Sequence, residues 1–386
     1  MKRWKVTFGL FLLLFALATT VACAETKEAK MDWNDRTVIF AQPGETIHFT
    51  YDVPEDFVVT KEEWLWYFAY TDGHGSFGSG SNDDEYGATH FESYTYEPTG
   101  IHVEWDGKGS ISLSANEMVR IQLRLNGYEY LYAYVLVADP AEYYTYEIQN
   151  GEATITGYNK DLLRRKVLIP QEIEGCPVTT IGDRAFSDMP SGIGKEFYIP
   201  DNVTTFGKEA FAGSAYLDAV RMPQKLTKMG EGVFAACLQM HFLEIPDSLT
   251  EIPDEAFVNC WGYGAGRGDY SVEQCIGKNV TKIGKSAFGG CWNMGRAWGD
   301  ARLPEKLESI GEGAFQYCYK IKSLEIPAGV TVIPDRTFQG CERLESIQID
   351  GDITMIGAEA FDGCVALTSM PLSKSLNLIG ADAFRD

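Results

Sequence analysis

The chain of 386 residues is longer than one hydrophobic core normally supports, so we expect at least two domains. A hydrophobic content of 45% and an aromatic content of 13% exclude a disordered chain. The sequence has 33 basic and 55 acidic residues, and its net charge of −22 argues against nucleic acid or an anionic membrane as a partner and favours solubility and basic partners.

The first 24 residues predict an export signal that is removed from the mature protein. Three basic residues precede an apolar run, residues 8–18, which is too short to remain as a membrane anchor, and small residues then predict cleavage after Ala24. Residues 20–23 also match a lipobox, in which Cys23 would be lipidated and become the first mature residue. We therefore expect an exported protein, either secreted or held at the cell surface through Cys23. Cleavage removes three basic charges, which changes the net charge from −22 to −25.

Residues 36–140 predict an all-β module of the immunoglobulin-like sandwich type, preceded by a polar linker at residues 25–35. Apolar and polar residues alternate in several short segments, and Asn126-Gly127 is a strong signal for a two-residue hairpin turn. Such a turn places Arg124 opposite Glu129. It also puts four alternate tyrosines on a face with aliphatic residues, which favours a buried face over a sugar-stacking surface. These tyrosines are Tyr128, Tyr130, Tyr132 and Tyr134.

The sequence carries no motif typical of catalysis or metal binding. The five histidines form no His-x-x-x-His pair, and no Gly-x-Ser-x-Gly nucleophile motif occurs. We therefore expect a protein that is not an enzyme and has no metal or cofactor. An alternative function for the module is carbohydrate binding, for which Trp64 and Trp66, on either side of Leu65 in a predicted strand, are the candidates.

Beyond the module, one phrase recurs nine times, most clearly at residues 330–341 and 353–364. Its central residue is Phe186, Phe211, Phe234, Phe257, Phe288, Phe315, Phe338, Phe361 and Phe384. The successive spacings are 25, 23, 23, 31, 27, 23, 23 and 23 residues. A period in the twenties is typical of leucine-rich repeats, in which each unit adds one coil to a solenoid.

Each repeat unit predicts one short strand and a return segment. Residues 324–327 and 347–349 alternate inward apolar with outward polar side chains, as expected of a strand with one buried side. A proline often ends the strand because it lacks a backbone donor, and a glycine then marks a turn. The Ala-Phe pair that follows predicts a short helical or 3₁₀ segment.

Cysteine occupies one fixed place in the unit, three residues after the phenylalanine. The members are Cys237, Cys260, Cys291, Cys318, Cys341 and Cys364, with Ser214 at the same place in the second unit. Because neighbouring coils are expected about 4.7–4.9 Å apart, these side chains predict a column of buried structural thiols. Cys176 and Cys275 lie outside this register and are the candidates for a disulfide or a reactive thiol.

The repeated phrase resembles the BspA-like leucine-rich repeat family of bacterial surface proteins. The family pattern is matched closely at residues 280–291 and 307–327, and residues 146–157 look like the β-hairpin that opens such arrays. The resemblance implies an N-terminal cap hairpin at residues 141–177 and a leucine-rich-repeat solenoid at residues 178–386, whose ninth phrase is incomplete. It also implies an exported interaction protein, adhesin-like in some relatives, with no catalytic residues.

Outward side chains of the predicted strands form the candidate partner-binding surface. One column contains Tyr198, Arg221, Glu244, Arg302, Glu325 and Gln348, and the next contains Asp218, His241, Lys322 and Glu345. Mixed charge on an extended sheet suits a protein partner, such as a host matrix protein or a neighbouring cell surface. It equally suits an idle solvated surface. A further alternative for the whole protein is a structural surface-layer component. The longest insertion adds a loop candidate, Arg267, Gly268 and Asp269, a tripeptide that binds integrins when a loop exposes it.

Overall fold

A computed structural model describes the fold over thirteen stretches of the chain. They are residues 26–31, 37–41, 46–51, 62–69, 79–80, 101–105, 109–113, 118–125, 129–163, 165–241, 243–263, 275–294 and 301–385. The predicted signal segment with Cys23, and the loop tripeptide at 267–269, lie outside the described residues.

The described strands of the N-terminal module form two sheets. Their bounds are β1 Thr26–Met31, β2 Thr37–Ala41, β3 Thr46–Tyr51, β4 Glu62–Ala69, β5 Ser79–Gly80, β6 Ile101–Trp105, β7 Gly109–Leu113, β8 Met118–Leu125 and β9 Glu129–Val137. One sheet has the order β1-β3-β6-β7, and the other has the order β2-β9-β8-β4-β5. Because β1 lies within residues 25–35, that segment contributes a strand to a sheet and is not a free linker. An immunoglobulin-like packing of the two sheets stays a prediction.

The hairpin between β8 and β9 is antiparallel, as predicted, but its register differs by one residue. Leu125 pairs with Glu129, so residues 126–128 separate the paired positions instead of two residues. Arg124 consequently stands opposite Tyr130, and the predicted Arg124–Glu129 pair is wrong. A one-residue change of register exchanges the residues of the neighbouring strand that lie opposite each position, so aliphatic and polar partners change places.

This register changes the neighbours of the alternate tyrosines. Tyr132 pairs with Gln122, and Tyr134 pairs with Arg120, so the expected aliphatic partners are replaced by polar ones. Tyr134 is nevertheless buried, with 1% of its surface exposed. Its burial therefore comes from another part of the chain, the first coils of the solenoid.

The predicted cap hairpin is present between the module and the solenoid. After the short helix α1, Pro140–Tyr143, the strands β10, Tyr144–Gln149, and β11, Glu152–Tyr158, pair antiparallel. The turn residues Asn150 and Gly151 have φ values of 54° and 80°, the left-handed conformation that a two-residue hairpin turn requires. The hairpin agrees with the expectation from residues 146–157, because it is formed by residues that are close together in the sequence.

The solenoid contains short parallel strands in about nine coils and little helix. Their bounds are β12 Lys166–Leu168, β13 Glu172–Ile173, β14 Cys176–Ile181, β15 Glu196–Tyr198, β16 Thr205–Phe206, β17 Ala219–Arg221, β18 Lys228–Met229, β19 Glu251–Ile252, β20 Lys282–Ile283, β21 Ala301–Arg302, β22 Ser309–Ile310, β23 Ser323–Ile326, β24 Val332–Ile333, β25 Ser346–Ile349, β26 Met355–Ile356 and β27 Leu378–Ile379. β13 pairs antiparallel with β14, beside the cap.

The parallel strands stack along two sides of the solenoid. One side carries β12-β15-β17 and β21-β23-β25, which include the predicted strands at 324–327 and 347–349. The other side carries β14-β16-β18, β19-β20-β22 and β24-β26-β27, where the sequence was expected to make only a turn. We name these the first and second strand faces. In both, apolar residues point inward to a continuous core.

The Ala-Phe segment forms turns, and the predicted short helix is wrong. Its alternate amides bond to the next coil: Phe315 N–H donates to the Thr337 carbonyl at 2.9 Å, and Tyr317 N–H donates to the Gln339 carbonyl at 2.8 Å. Donors used between coils are not available for the i to i−4 bonds of an α-helix. The segment therefore acts as a third backbone ladder of the solenoid.

The nine phenylalanines of the phrase form a continuous stack through the core. Successive ring centroids lie 5.0–5.6 Å apart, with interplanar angles between 7° and 15°. Such offset stacking adds about 0.5–1.5 kcal/mol per pair beyond the burial of apolar area. Each of the seven inner rings is covered by the rings of the coils on both sides, whereas Phe384 keeps 42% of its surface exposed. The stacking therefore depends on neighbouring units.

The cysteine column runs beside the phenylalanine stack. Each thiol donates to the carbonyl of the phenylalanine one coil earlier, at 3.0–3.3 Å, as Cys237 does to Phe211 and Cys318 does to Phe288. Ser214 makes the same bond to Phe186 with its hydroxyl at 2.7 Å. The position therefore calls for a small side chain with one donor, which both cysteine and serine provide.

All cysteines of the described residues are free thiols. The column is buried, and so is Cys275, whereas Cys176 is partly exposed. Burial disfavours the charged thiolate and raises the pKa of Cys275 and of Cys364 to about 12. A thiol with so high a pKa is a poor nucleophile at neutral pH, because little thiolate is present.

Glycine lets the coils approach closely at the corner before the Ala-Phe segment. The residues at this place are Gly182, Gly207, Gly230, Gly284, Gly311, Gly357 and Gly380, with Pro253 and Pro334 in the fourth and seventh units. A Cβ on Gly311 would overlap the backbone of Gly284 and Lys285 in the coil before it. Two residues later, Gly313 has a φ of 62°, but a Cβ there would meet only side chains, at ordinary contact distances of 3.4 Å or more.

The module packs on the first coils of the solenoid through aromatic side chains. The ring of Tyr134, in β9, lies 4.5 Å from that of Tyr198, in β15, and its hydroxyl donates to the Tyr198 hydroxyl at 3.2 Å. Phe40, in β2, makes edge contacts with Tyr143 and Tyr144 at 6.3 and 6.4 Å. We name these five residues the junction cluster. It joins the module, the cap and the solenoid in one core.

The two glycines of one turn give a test of the close coil approach. We expect Gly311→Ala to lower the free energy of unfolding by about 2–3 kcal/mol, because its Cβ forces two backbones apart. Gly313→Ala, with only its left-handed φ to strain, is expected to lower it by about 1 kcal/mol. Urea unfolding followed by circular dichroism measures both, and equal losses would contradict steric contact between coils as the cause.

Thiol alkylation tests the buried column. With residues 1–24 removed, we expect native protein to take up one iodoacetamide adduct, at Cys176, and denatured protein to take up eight, counted by intact mass. Raising the pH from about 7 to about 9 should leave the column unlabelled, because its six thiols are buried and out of reach of the reagent. Rapid native labelling of several cysteines, or a mass that reveals disulfides, would show that the column is not sequestered.

Candidate functional site

The first strand face carries the column that the sequence analysis proposed for partner binding. The strand register places Tyr198 beside Arg221, and Arg302 beside Glu325, which in turn stands beside Gln348. Glu244 occupies the equivalent place in the third unit and is exposed. The structure thus brings the column together in two blocks, on either side of the 31-residue unit.

Arg302 is the centre of the second block. Its guanidinium pairs with Glu325 in the next coil, with Glu305 at 3.0 Å and with Asp350 at 3.9 Å. The hydrogen bond that Arg302 donates to Glu325, together with the charge of that carboxylate, raises the pKa of the Arg302 guanidinium. These four residues line an open depression together with Pro327 and Ala328. The local formal charge is negative because three carboxylates surround one cation.

Tyr198 is not part of the exposed surface, in contrast to the sequence-based expectation. Only 4% of it is exposed, because Tyr134 covers it from the module. The ammonium of Lys166 lies 5.4 Å from its ring centre, and the Arg221 guanidinium lies 6.0 Å from it. A residue buried between two domains stabilises the junction and is unable to contact a partner.

The second predicted column also forms ion pairs between coils. Asp218 Oδ1 lies 2.5 Å from Nδ1 of His241, and Asp218 Oδ2 lies 3.3 Å from the ammonium of Lys195. Further along, the Glu345 amide donates to the Lys322 carbonyl at 2.7 Å, so these two residues occupy neighbouring coils. Lys322 is exposed. Both columns therefore present charge in mixed order along the solenoid axis.

The alternative sugar-binding residues lie in β4. Trp64 pairs with Leu123, and Trp66 pairs with Ile121, at the positions where the sheet alternates. The two tryptophans occupy alternate positions of β4, as the sequence predicted, and the residues opposite them in β8 are aliphatic. Their side chains lie outside the described residues.

An aromatic cluster on the solenoid was missed by the sequence analysis. The rings of Trp261 and Trp292 stack with centroids 4.7 Å apart and planes 7° apart, and Tyr319 lies 5.9 Å beyond Trp292. Tyr317 lies 6.2 Å from Tyr319. We name these four residues the aromatic patch. A signal was present, because Trp261, Trp292 and Tyr319 each follow a column cysteine directly.

The described stretches hold no group of three or more His, Cys, Asp or Glu placed to bind a metal ion. Within the same residues, no helix has the length and apolar character needed to cross a membrane. The polar groups whose contacts are known serve coil-to-coil hydrogen bonds and ion pairs.

Several solved structures are similar to the chain over the repeats. A leucine-rich repeat protein of T. pallidum is 24% identical, with a TM-score of 0.39 and with 60% of this chain and 90% of that chain covered. A leucine-rich cell surface protein of Faecalibacterium prausnitzii is 21% identical, with a TM-score of 0.38 and coverage of 63% and 84%. A leucine-rich repeat protein of Bacteroides capillosus is 29% identical, with a TM-score of 0.27 and coverage of 33% and 92%.

A comparison with curated proteins gives no match. A family model described as a BspA type leucine-rich repeat region matches residues 168–263 and 271–386, in 6 copies. These residues make up more than half of the chain, and they coincide with the coils that carry the phenylalanine stack and the cysteine column. The chain therefore belongs to the BspA type leucine-rich repeat family.

Proposed function

We propose that this protein is an exported, non-catalytic surface protein that binds other proteins through the first strand face of its solenoid. The observation that carries the proposal is the column of exposed charged side chains on that face, centred on Arg302 and its three carboxylates. The solenoid fold supports it, because stacked units create an extended surface of the kind that repeat proteins use for recognition.

The location is part of the proposal. The charged start and apolar run of residues 1–24 favour export, and Cys23 offers a site for lipid attachment. One structurally similar protein, from Faecalibacterium prausnitzii, is described as a cell surface protein. Secretion and lipid attachment at Cys23 would both place the solenoid outside the cytoplasm.

Charge indicates what kind of protein partner suits the face. The chain carries −22, and on the strand face the carboxylates of Glu305, Glu325 and Asp350 outnumber the guanidinium of Arg302. A partner with a basic, extended surface is attracted over distance and is able to pair with these carboxylates at contact. Host matrix proteins and neighbouring cell surfaces are the partners that an exported protein of this kind would meet.

A pair of charge reversals tests the strand face. We expect Glu325→Lys, on the first strand face, to weaken binding to a basic matrix protein about tenfold, because it puts like charges together in the interface. Glu251→Lys makes the same charge change on the second strand face, where Glu251 pairs with Lys282 at 3.8 Å, and should leave binding nearly unchanged. Surface plasmon resonance against immobilised fibronectin, laminin and collagen measures both variants.

Three results would count against the proposal. Equal weakening by both variants would mean that net charge alone drives the interaction. No effect of either variant would remove the first strand face from the interface. Failure of the unaltered protein to bind any of the matrix proteins would exclude them as the partner class.

A further inference from the structure

We propose that the solenoid carries a second binding site, for an acidic polysaccharide, formed by the aromatic patch and the basic residues Lys320 and Arg343 beside it. The site is distinct from the carboxylate-rich centre of the first strand face. It uses a different chemistry, the contact of aromatic rings with the C–H groups of sugars together with pairing of cations and acidic sugar groups.

The aromatic patch is exposed although its residues are large. Trp261, Trp292 and Tyr317 keep 40%, 41% and 42% of their surface in contact with solvent. The patch runs along the solenoid axis, because Trp261, Trp292 and Tyr319 occupy the same place in three successive units. Isolated exposed aromatics are ordinary, but a contiguous row of them indicates a contact surface.

The fold does not require an aromatic side chain at Tyr317. Its φ is 59°, in the left-handed region that bulky side chains avoid. The same place in other units has Gly213, Gly290, Gly340 and Gly363, all with positive φ, and Ala236 and Asn259. The solenoid is therefore built at this place without an aromatic ring, and the ring costs about 1–2 kcal/mol of backbone strain. Strain that does not serve the core favours a role at the surface.

Tyr317 contacts the next coil and remains exposed. Its ring lies directly over the backbone of Gly340 in the next coil, where a Cβ would meet Cδ1 and Cε1 of the ring. The ring thus packs against the backbone of the next coil, and 42% of the side chain stays in contact with solvent. A ring face carries negative partial charge and attracts the polarised C–H groups of a pyranose ring.

The charges beside the patch favour an acidic sugar. Lys320 and Arg343 occupy the same place in successive units, two residues after the column cysteine, and Lys322 follows Lys320 by two residues. Within the described residues these three cations form no ion pair, whereas Arg302, Arg336 and Arg385 are each paired with carboxylates. One carboxylate, Glu342, lies close to Tyr319. A second carboxylate, Glu345, stands beside Lys322 in the neighbouring coil. The three cations outnumber these two carboxylates and are available to an anionic ligand.

The net charge of −22 does not prevent such binding. At physiological ionic strength the screening length is about 8 Å, so the charges within the patch outweigh distant ones. A polysaccharide fits better than an acidic protein, because an axial row with one aromatic group per coil matches a flat, extended polymer with repeating rings. A folded protein partner would need a complementary ridge of its own to reach the same row.

The experiment uses the unaltered chain and three variants. The probes are polygalacturonate and hyaluronan, with dextran as the neutral polysaccharide, and binding is measured by affinity electrophoresis and by tryptophan fluorescence. Tyr317→Gly removes the ring and introduces the residue found in four other units, so it is expected to keep the fold, with no fall in the thermal midpoint. Tyr216→Ala is the matched control, since it removes an exposed tyrosine, 46% exposed, from a distant unit.

We expect the unaltered protein and Tyr216→Ala to bind at least one acidic polysaccharide and not dextran, and Tyr317→Gly to bind about tenfold more weakly. The double variant Lys320→Glu and Arg343→Glu should lose most of the binding and its dependence on salt. Binding of dextran alone, binding of no polysaccharide, or equal binding by Tyr317→Gly and the unaltered protein would overturn the proposal. A matrix protein whose binding falls in Tyr317→Gly, without any effect on polysaccharide, would also overturn it in favour of a protein ligand.

The result is separable from the test of the strand face. Glu325→Lys alters the first strand face and leaves the aromatic patch intact, so it should not reduce polysaccharide binding. Tyr317→Gly should likewise leave matrix-protein binding through Glu325 unchanged. Each proposal is therefore able to fail without the other.

Discussion

The stack of phenylalanines, one ring per coil, fixes the distance at which everything else in the solenoid repeats. Because the rings lie 5.0–5.6 Å apart, the backbones of successive coils lie at about the separation of hydrogen-bonded strands. Three features satisfy that requirement. Glycines at one corner remove the Cβ that would hold the coils apart, alternate amides of the Ala-Phe segment bond to the next coil, and the cysteine thiols donate to the phenylalanine carbonyls. The strands on the two faces are short because most residues of each coil lie in turns.

A core so uniform leaves recognition to the side chains that point outward. The repeated inward residues fix the coil, and the outward places vary between units, so different faces of one solenoid are able to carry different chemistry. The first strand face presents carboxylates around Arg302. The corner after the cysteine column presents the aromatic patch. The strained backbone of Tyr317 is informative for this reason, since the other units show what the fold itself requires at that place.

The junction cluster shows how a repeat array begins. The first coil has no preceding neighbour, so its apolar side needs another cover. The cap hairpin supplies Tyr158, which stacks on Phe186 at 5.7 Å, and the module supplies Tyr134 against Tyr198. Lys166 lies over both tyrosine rings at 5.3 and 5.4 Å, which adds cation–π attraction at the same place. The module is thereby fixed to the solenoid by a contiguous core, and movement of one relative to the other would expose these aromatic residues.

The sequence by itself determined the features that depend on the period of the repeat. The phenylalanine column, the cysteine column and the strands at 324–327 and 347–349 follow from spacing, because a residue that recurs once per coil must form a column. The hairpin before the first coil was expected from the resemblance of residues 146–157 to the family. The tertiary structure decided what depends on neighbours that the period does not define. Tyr198 was expected outside and lies in the junction, since the module covers the first coils. The β8–β9 register moved by one residue, because a turn signal locates a hairpin more reliably than it fixes loop length. The Ala-Phe segment is not helical, because its amides find partners in the next coil, and such partners are invisible to local propensity.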